Sequence, residues 1–265
     1  MKISNINRAA DILLESRIKL NRIENLPRNC TPINKEEAYK IQNKLVNKYL
    51  LLDKKNKIIG KKVGCTNKAA QIQINVHEPF YGNLFSTYSS ESNCIIQSKN
   101  FFGPFIEPEF SFKISKTLDI SDAPYSINQI YNVIESVLPS IELVDSRFND
   151  WKKVGIYNLI ADNAVNAFWI YGKEINKIND INFSNHEVTL SINDKIIEKG
   201  NSSNVLDNPI NSITWLVNTL AKQGRALAKN SYISTGTCTS AISIKKGDKI
   251  CANFGTLGKV NFLFL

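Results

Sequence analysis

The stretch GPFIEPEFSFKI, residues 103–114, reads as a mostly apolar strand, yet it carries two glutamates, Glu107 and Glu109. Side chains two apart on a strand point to the same face. The two carboxylates are therefore expected side by side, with Ile106, Phe110 and Phe112 packed around them. Two anions that close repel, and burial raises the cost of each. Pro104 and Pro108 suggest that the strand lies at an edge or carries a bulge. A third acid, Glu142 in LPSIELVDSRF, is flanked by Ile141, Leu143 and Val144. Two kinds of partner would cancel this charge. One is a set of lysines or arginines along an exposed strand face, where ion pairs are common. The other is a divalent cation that prefers hard oxygen ligands, Mg²⁺ or Mn²⁺, in an octahedral site completed by water or substrate oxygens.

Residues 5–20 place Ile6, Ala9, Ala10, Leu13, Leu14 and Ile18 at helical spacing after Ser4, a candidate cap. A second helix begins at Asn34, with Glu37 three residues on in a capping-box pattern and Ala38, Ile41, Leu45, Val46 and Tyr49 as its apolar stripe. These two helices make an N-terminal helical segment, 1–55, ahead of a strand-rich unit, 56–265. KIIGKKVGCT (57–66) reads as a strand and NKAAQIQINV (67–76) as a short helix. SINQIYNVIESVLPSIELVDS reads as a helix running into a strand, with Pro139 marking the change. LIADNAVNAFWIYG reads as a buried apolar segment. EVTLSINDKIIEKG alternates and carries an Asn-Asp hairpin signal at 193–194. PINSITWLVNTLAKQG is a helix closed by Gly224, and residues 231–265 read as three short strands. This is an α+β order, not the regular strand–helix alternation of a doubly wound sheet.

In 265 residues, 43% are hydrophobic and 22% charged, which suits a globular protein. No apolar run approaches the roughly 18 residues of a membrane-spanning helix, and the N-terminus lacks a signal-type apolar core; a cytoplasmic protein is expected. The five cysteines include no CxxC pair, which argues against a disulfide framework or thiolate metal site and for reduced thiols. The net charge of +9 is spread in short lysine doublets, without the aromatic interleaving of nucleic-acid binders. No phosphate-binding glycine motif is present. The two histidines lack triad spacing; His186, in NFSNHEV, is expected as a solvated loop residue. Lys61 and Lys62 point opposite ways if they lie on a strand, so only one enters any given site.

The stretch LPSIELVDSRFNDWK…LIADNA resembles the 2-keto-4-pentenoate hydratase, 2-oxohept-3-enedioate hydratase and 4-oxalocrotonate decarboxylase family, within the fumarylacetoacetate-hydrolase superfamily. GKKVGCTNKAAQIQINVHEPFYGNLF looks like its G-x-K-x-G-x-T-S segment and E-P-x-[FY]-G turn. IEPEFSF looks like its metal-binding Glu-x-Glu strand, and TWLVNTLAKQGRALAKNSYISTGTCTSAISIKKGDKI like its C-terminal helix, Thr-Gly turn and Gly-Asp hairpin. The resemblance runs from about residue 5 to the end. It implies a β-rich core of rolled mixed sheets with N-terminal and peripheral helices. It implies Mg²⁺ (or Mn²⁺) held by Glu107, Glu109 and Glu142, and selects Lys62 as the proton-transfer residue, with a pKa expected to fall beside the metal. Asn163, Thr235, Gly236 and Thr237 are implied near the substrate carboxylate. The implied substrate is a 2-oxo acid and the implied reaction a metal-dependent lyase step: hydration of a 2-hydroxy-2,4-dienoate or 2-oxo-alkenoate, or decarboxylation of a vinylogous 2-oxo diacid. Repurposed or non-catalytic members are further alternatives. Family members also imply a homo-oligomer, possibly associating with a related member. Two departures bear on the substrate. Phe80 stands where hydratases of the family often have an aspartate, leaving Glu78 or a metal-held water as replacement. Val165 follows ADNA where the family often has serine.

Overall fold

A computed structural model describes residues 1–73 and 76–265. Two helices, α1 (Ile3–Lys19) and α2 (Lys35–Leu52), open the chain. Ala9, Ala10 and Leu13 of α1 bury against Ile41, Leu45, Val46 and Tyr49 of α2, the stripes expected from spacing. The Asn34 side chain accepts from the Glu37 amide, capping α2; Glu37 reaches back to the Ile33 amide and not to Asn34, so the box is half formed. The cap of α1 is Lys2 and not Ser4, and it makes no side-chain bond.

Strands β1 (Ile58–Gly64), β2 (Phe80–Phe85), β3 (Ser89–Glu91), β4 (Cys94–Ile96), β5 (Phe105–Ile114), β6 (Ile134–Val144), β7 (Asn166–Tyr171), β8 (Glu187–Ile192), β9 (Lys195–Asn201), β10 (Tyr232–Thr237), β11 (Ile242–Ser243), β12 (Lys249–Asn253) and β13 (Lys259–Phe264) form two mixed sheets. The larger runs β2-β1-β10-β5-β6-β7-β3, with β11 continuing beside β5; the smaller runs β4-β13-β12-β8-β9. The larger sheet curls. Trp169 of β7 and Tyr232 of β10 are separated by two strands in the sheet, yet their rings lie 5.4 Å apart. The sheets meet through Phe110, whose ring packs edge-on against Phe254 at 5.2 Å. Helices α3 (Lys68–Gln73), α4 (Ile127–Tyr131), α5 (Ile156–Ala161) and α6 (Pro209–Lys222) sit at the periphery. The expected α+β architecture, with rolled mixed sheets and outer helices, is what forms.

Several local expectations change. The 67–76 helix is described as Lys68–Gln73; Ile74 and Asn75 lie outside the described residues. β5 is central rather than an edge, flanked by β10 and β6, but its register with β10 shifts between Ser234 and Thr237, beside Pro108, in line with the bulge alternative. Pro108 is accommodated because β10 pairing stops at Glu109 and β11 takes over at Ile106, so no ladder bond is asked of its nitrogen. Pro139 lies inside β6 rather than at a helix boundary, and α4 is only 5 residues long. β7 pairing reaches Ser140 and stops, which frees the neighbouring proline from donating. The apolar run 159–172 is not one segment: α5 ends at Ala161 and β7 begins at Asn166, with a tight turn between. The C-terminal region holds four strands, not three, because Ile242–Ser243 makes a short pairing with β5. The hairpin at 193–194 forms with φ of 52° and 65°, and Gly224 follows α6 at φ 69°, as expected. His186 is packed rather than solvated: its Nε2 lies 2.7 Å from the Phe254 carbonyl and its ring meets Phe110 edge-on.

Candidate metal centre

The antiparallel register of β5 and β6 sets Glu107 directly opposite Glu142, with Glu109 two residues along the same face. One oxygen from each of the three lies within 4.8 Å of the others. Glu109 and Glu142 are fully buried, whereas Glu107 opens onto a cavity of about 960 Å³. Lys62 joins them because β1 runs parallel to β10, which is itself paired to β5. Its Nζ is 2.9 Å from Glu142 Oε2 and 3.3 Å from the Ala164 carbonyl.

The rest of the shell is uneven. Asn166 Nδ2 donates to Glu142 Oε1 at 2.8 Å. The Ser234 hydroxyl and the Gly236 amide both donate to Glu109 Oε2, the latter at 3.1 Å. Gly236 is required there: its φ is 107°, and a Cβ would stand 1.8 Å from Thr66 Oγ1. Among the described residues, Glu109 Oε1 is buried with no hydrogen-bond donor, and Glu142 Oε2 has the Lys62 ammonium at 2.9 Å as its ion-pair partner. Buried acceptors left in this way are costly. An all-oxygen trio with an orphaned buried acceptor on Glu109 fits a hard divalent cation, to which all three carboxylates could be ligands.

The electrostatics agree. Burial, reinforced by Glu142, lifts the Glu107 carboxyl to about 7 against the pull of Lys62. Burial and then Glu142 push Glu109 well above the carboxylate range. For Lys62, burial works against the charged form, but Glu142, Glu107 and Glu109 together outweigh it and the pKa rises. The protein's own groups thus favour the ammonium, opposite to the fall expected beside a metal.

The structure brings together most, not all, of the residues singled out by sequence. Phe80 lines the cavity, and a Cβ on Gly64 would stand 3.2 Å from both its ring and Lys62 Nζ. Thr237 also lines it, with its hydroxyl turned to the Thr239 carbonyl. Thr235 is turned away, donating to the Phe110 carbonyl. Asn163 lies behind the wall, bonded to Asn83. Glu78 is exposed, paired with Lys35, and faces a separate groove beside α6. Ser234 and Asn166 were not singled out; only the cross-strand pairing, invisible in one sequence, places them on the carboxylates. Lys61 takes the opposite face from Lys62, as expected, and is buried against Asn83.

A rolled mixed sheet with an acidic trio and a buried lysine beside one cavity defines a protein with a candidate oxygen-ligated divalent-cation site. The chain belongs to the Fumarylacetoacetate (FAA) hydrolase C-terminal family, whose description matches residues 57–263. It is 26% identical over 231 residues to 2-keto-4-pentenoate hydratase 1 of Dechloromonas aromatica (strain RCB), covering 87% of this chain and 86% of that protein. It is 29% identical over 215 residues to 4-oxalocrotonate decarboxylase of Pseudomonas sp. (strain CF600), covering 79% of this chain and 78% of that protein. Its fold matches 4-oxalocrotonate decarboxylase from Pseudomonas putida G7, complexed with magnesium and adipate, with a TM-score of 0.93 at 24% identity over 100% of this chain and 99% of that one.

Proposed function

We propose that this chain is a divalent-metal-dependent lyase acting on a 2-oxo acid, with hydration of a 2-hydroxy-2,4-dienoate or 2-oxo-alkenoate as its reaction. The observation that carries the reading is the trio Glu107, Glu109 and Glu142, with the orphaned buried Glu109 Oε1 and a buried lysine paired to Glu142, beside one cavity. Mg²⁺ or Mn²⁺ bound there supplies Lewis acidity toward the keto oxygen and carboxylate of the substrate. Lys62 holds a proton at Nζ, favoured by three carboxylates, and delivers it to the carbon skeleton. The Gly236 amide and Ser234 hydroxyl fix Glu109, and Asn166 fixes Glu142, so the ligands are oriented before substrate arrives. Phe80 keeps water from the ammonium side of the cavity. Thr237 flanks the substrate carboxylate. The roles of Thr235 and Asn163 are indirect, holding β10 and the 163–165 turn.

Decarboxylation of a vinylogous 2-oxo diacid is the second reading, favoured by one observation. Phe80 stands beside Lys62, and Glu78 faces away, so neither supplies a carboxylate to orient water in the cavity. The two reactions separate when Mg²⁺-loaded protein is given 2-hydroxypenta-2,4-dienoate and then a 2-oxo-hexenedioate. Loss of dienol absorbance without CO₂ marks hydration, CO₂ release marks the second reading, and inertness toward both sinks the lyase assignment. The same reading takes segment 1–55 as a helical cap on the catalytic unit 56–265. It also takes the enzyme as a cytoplasmic homo-oligomer, to be tested by light scattering; the five free thiols suit a reducing compartment.

A further inference from the structure

Three consecutive residues that are not glycine, Asn163, Ala164 and Val165, have φ of 51°, 53° and 54°. The left-handed region is disfavoured for side chains with a Cβ, tolerated by asparagine, and worst for β-branched residues. A run of three ending in valine is therefore strained, and it persists only because its surroundings over-determine it. Asn163 exchanges hydrogen bonds with Asn83 through both its side-chain atoms. Gly82 lets β2 come so close that a Cβ there would stand 2.4 Å from the Asn163 carbonyl. The Val165 amide donates to the Asp162 carbonyl and its own carbonyl accepts from the Asp145 amide, each at 3.0 Å. Arg17 holds the carbonyls of Asn166 and Ala167 at 3.0 and 2.7 Å.

What this restraint achieves is placement. The residue before Val165 offers its carbonyl to Lys62, and the residue after it donates to Glu142. Val165 itself, half-buried, lines the cavity that Lys62 and Glu107 also line. It has no hydrogen-bonding group to offer a ligand. We propose that Val165 is a specificity-determining residue: an apolar wall, held against its own backbone preference, that packs on the hydrocarbon chain of a 2-oxo acid next to its chelating end. This rests on the 2-oxo acid reading above and adds what the cavity selects, a carbon chain without polar substituents at that point.

The test compares pyruvate, which has almost no chain, with 2-oxopentanoate, binding each to the Mg²⁺-loaded protein by calorimetry. Variants are Val165→Ala, Val165→Gly and Val165→Asn, with melting temperatures taken alongside. The wild type is expected to prefer 2-oxopentanoate, and the glycine and asparagine variants to lose that preference by about tenfold, the scale of a lost apolar contact in a pocket, while binding pyruvate as before. Both variants tolerate the left-handed conformation and should melt above Val165→Ala. An unchanged chain preference with both acids still bound overturns the assignment of Val165 and leaves the 2-oxo acid reading standing. Melting of the glycine variant below the alanine variant overturns the strain argument. Failure of the wild type to bind either acid overturns the 2-oxo acid reading and this inference with it.

Discussion

Glu107→Gln is the sharpest probe of the centre, because the acid is predicted to harm the protein until a cation is present. Its carboxyl is raised from the ordinary 4.5 to about 7. A raised acid contributes stability that is complete below its unfolded pKa and is lost as pH rises through the folded one. By about pH 8 the ionised form costs the fold about 3 kcal/mol, at roughly 1.4 kcal/mol for each tenfold change. Glutamine keeps the shape and removes the charge, so the metal-free variant is expected to melt above wild type. With about 2–4 °C for each kcal/mol in a chain near this size, the rise is roughly 6–12 °C. Wild type should close that gap when Mg²⁺ is added: at a hundredfold excess over Kd, binding contributes about 2.7 kcal/mol, or roughly 5–11 °C. The variant should not respond. Differential scanning fluorimetry at about pH 8, with and without Mg²⁺ or Mn²⁺, reads all four states. A wild type indifferent to both ions, or a variant that climbs with Mg²⁺ as wild type does, refutes the reasoning.

The same carboxyl makes cation affinity pH-dependent. Since protonated Glu107 and Glu109 cannot be ligands, calorimetric Mg²⁺ affinity should fall as pH falls, with Glu107 alone making it about tenfold weaker at pH 6 than at pH 8. Lys62→Met leaves Glu142 buried without its cation, and should destabilise the metal-free protein by about 3–5 kcal/mol. Added Mg²⁺ should restore its melting temperature but not turnover, which is expected to fall roughly 10²–10⁴-fold. Lys61, buried and lowered to about 7 chiefly by desolvation, binds fewer protons folded than unfolded between pH 7 and 10.5. Stability should therefore rise with pH across that window by up to about 1.4 kcal/mol per pH unit. Lys61→Met should remove that slope in urea titrations. Glu78→Gln should leave turnover unchanged, since the acid faces another groove.

The legible parts of this chain are those where one local signal is decisive. Asn34 with Glu37, the stripes of α1 and α2, the Asn193-Asp194 turn and Gly224 after α6 each act within a few residues. The paired glutamates were legible for the same reason, since a period of two needs no partner strand. Glu142 was harder. Its place opposite Glu107 depends on the register of β5 against β6, and no residue between them announces it; family resemblance supplied it. The prolines misled because their usual meaning assumes an uninterrupted ladder. Pro108 and Pro139 both sit where a neighbouring strand stops or is exchanged, which is a property of the sheet.

The region 156–171 was the least legible, and for a reason that bears on function. Its composition is apolar, so periodicity alone could not divide it into α5, turn and β7. The turn between them holds Asp162 and Asn163 but no glycine or proline, and it sets a valine where the backbone is left-handed. Local preference argues against this conformation, and contacts from Asn83, Gly82, Asp145 and Arg17, remote in sequence, impose it. Consistency between local preference and tertiary structure is the rule in foldable sequences. A breach of it next to Lys62 and Glu142 is more readily explained by what the turn presents to the cavity than by anything it contributes to stability. Backbone preference alone would place glycine or asparagine at position 165, and those are the substitutions that should melt above Val165→Ala while losing the chain preference.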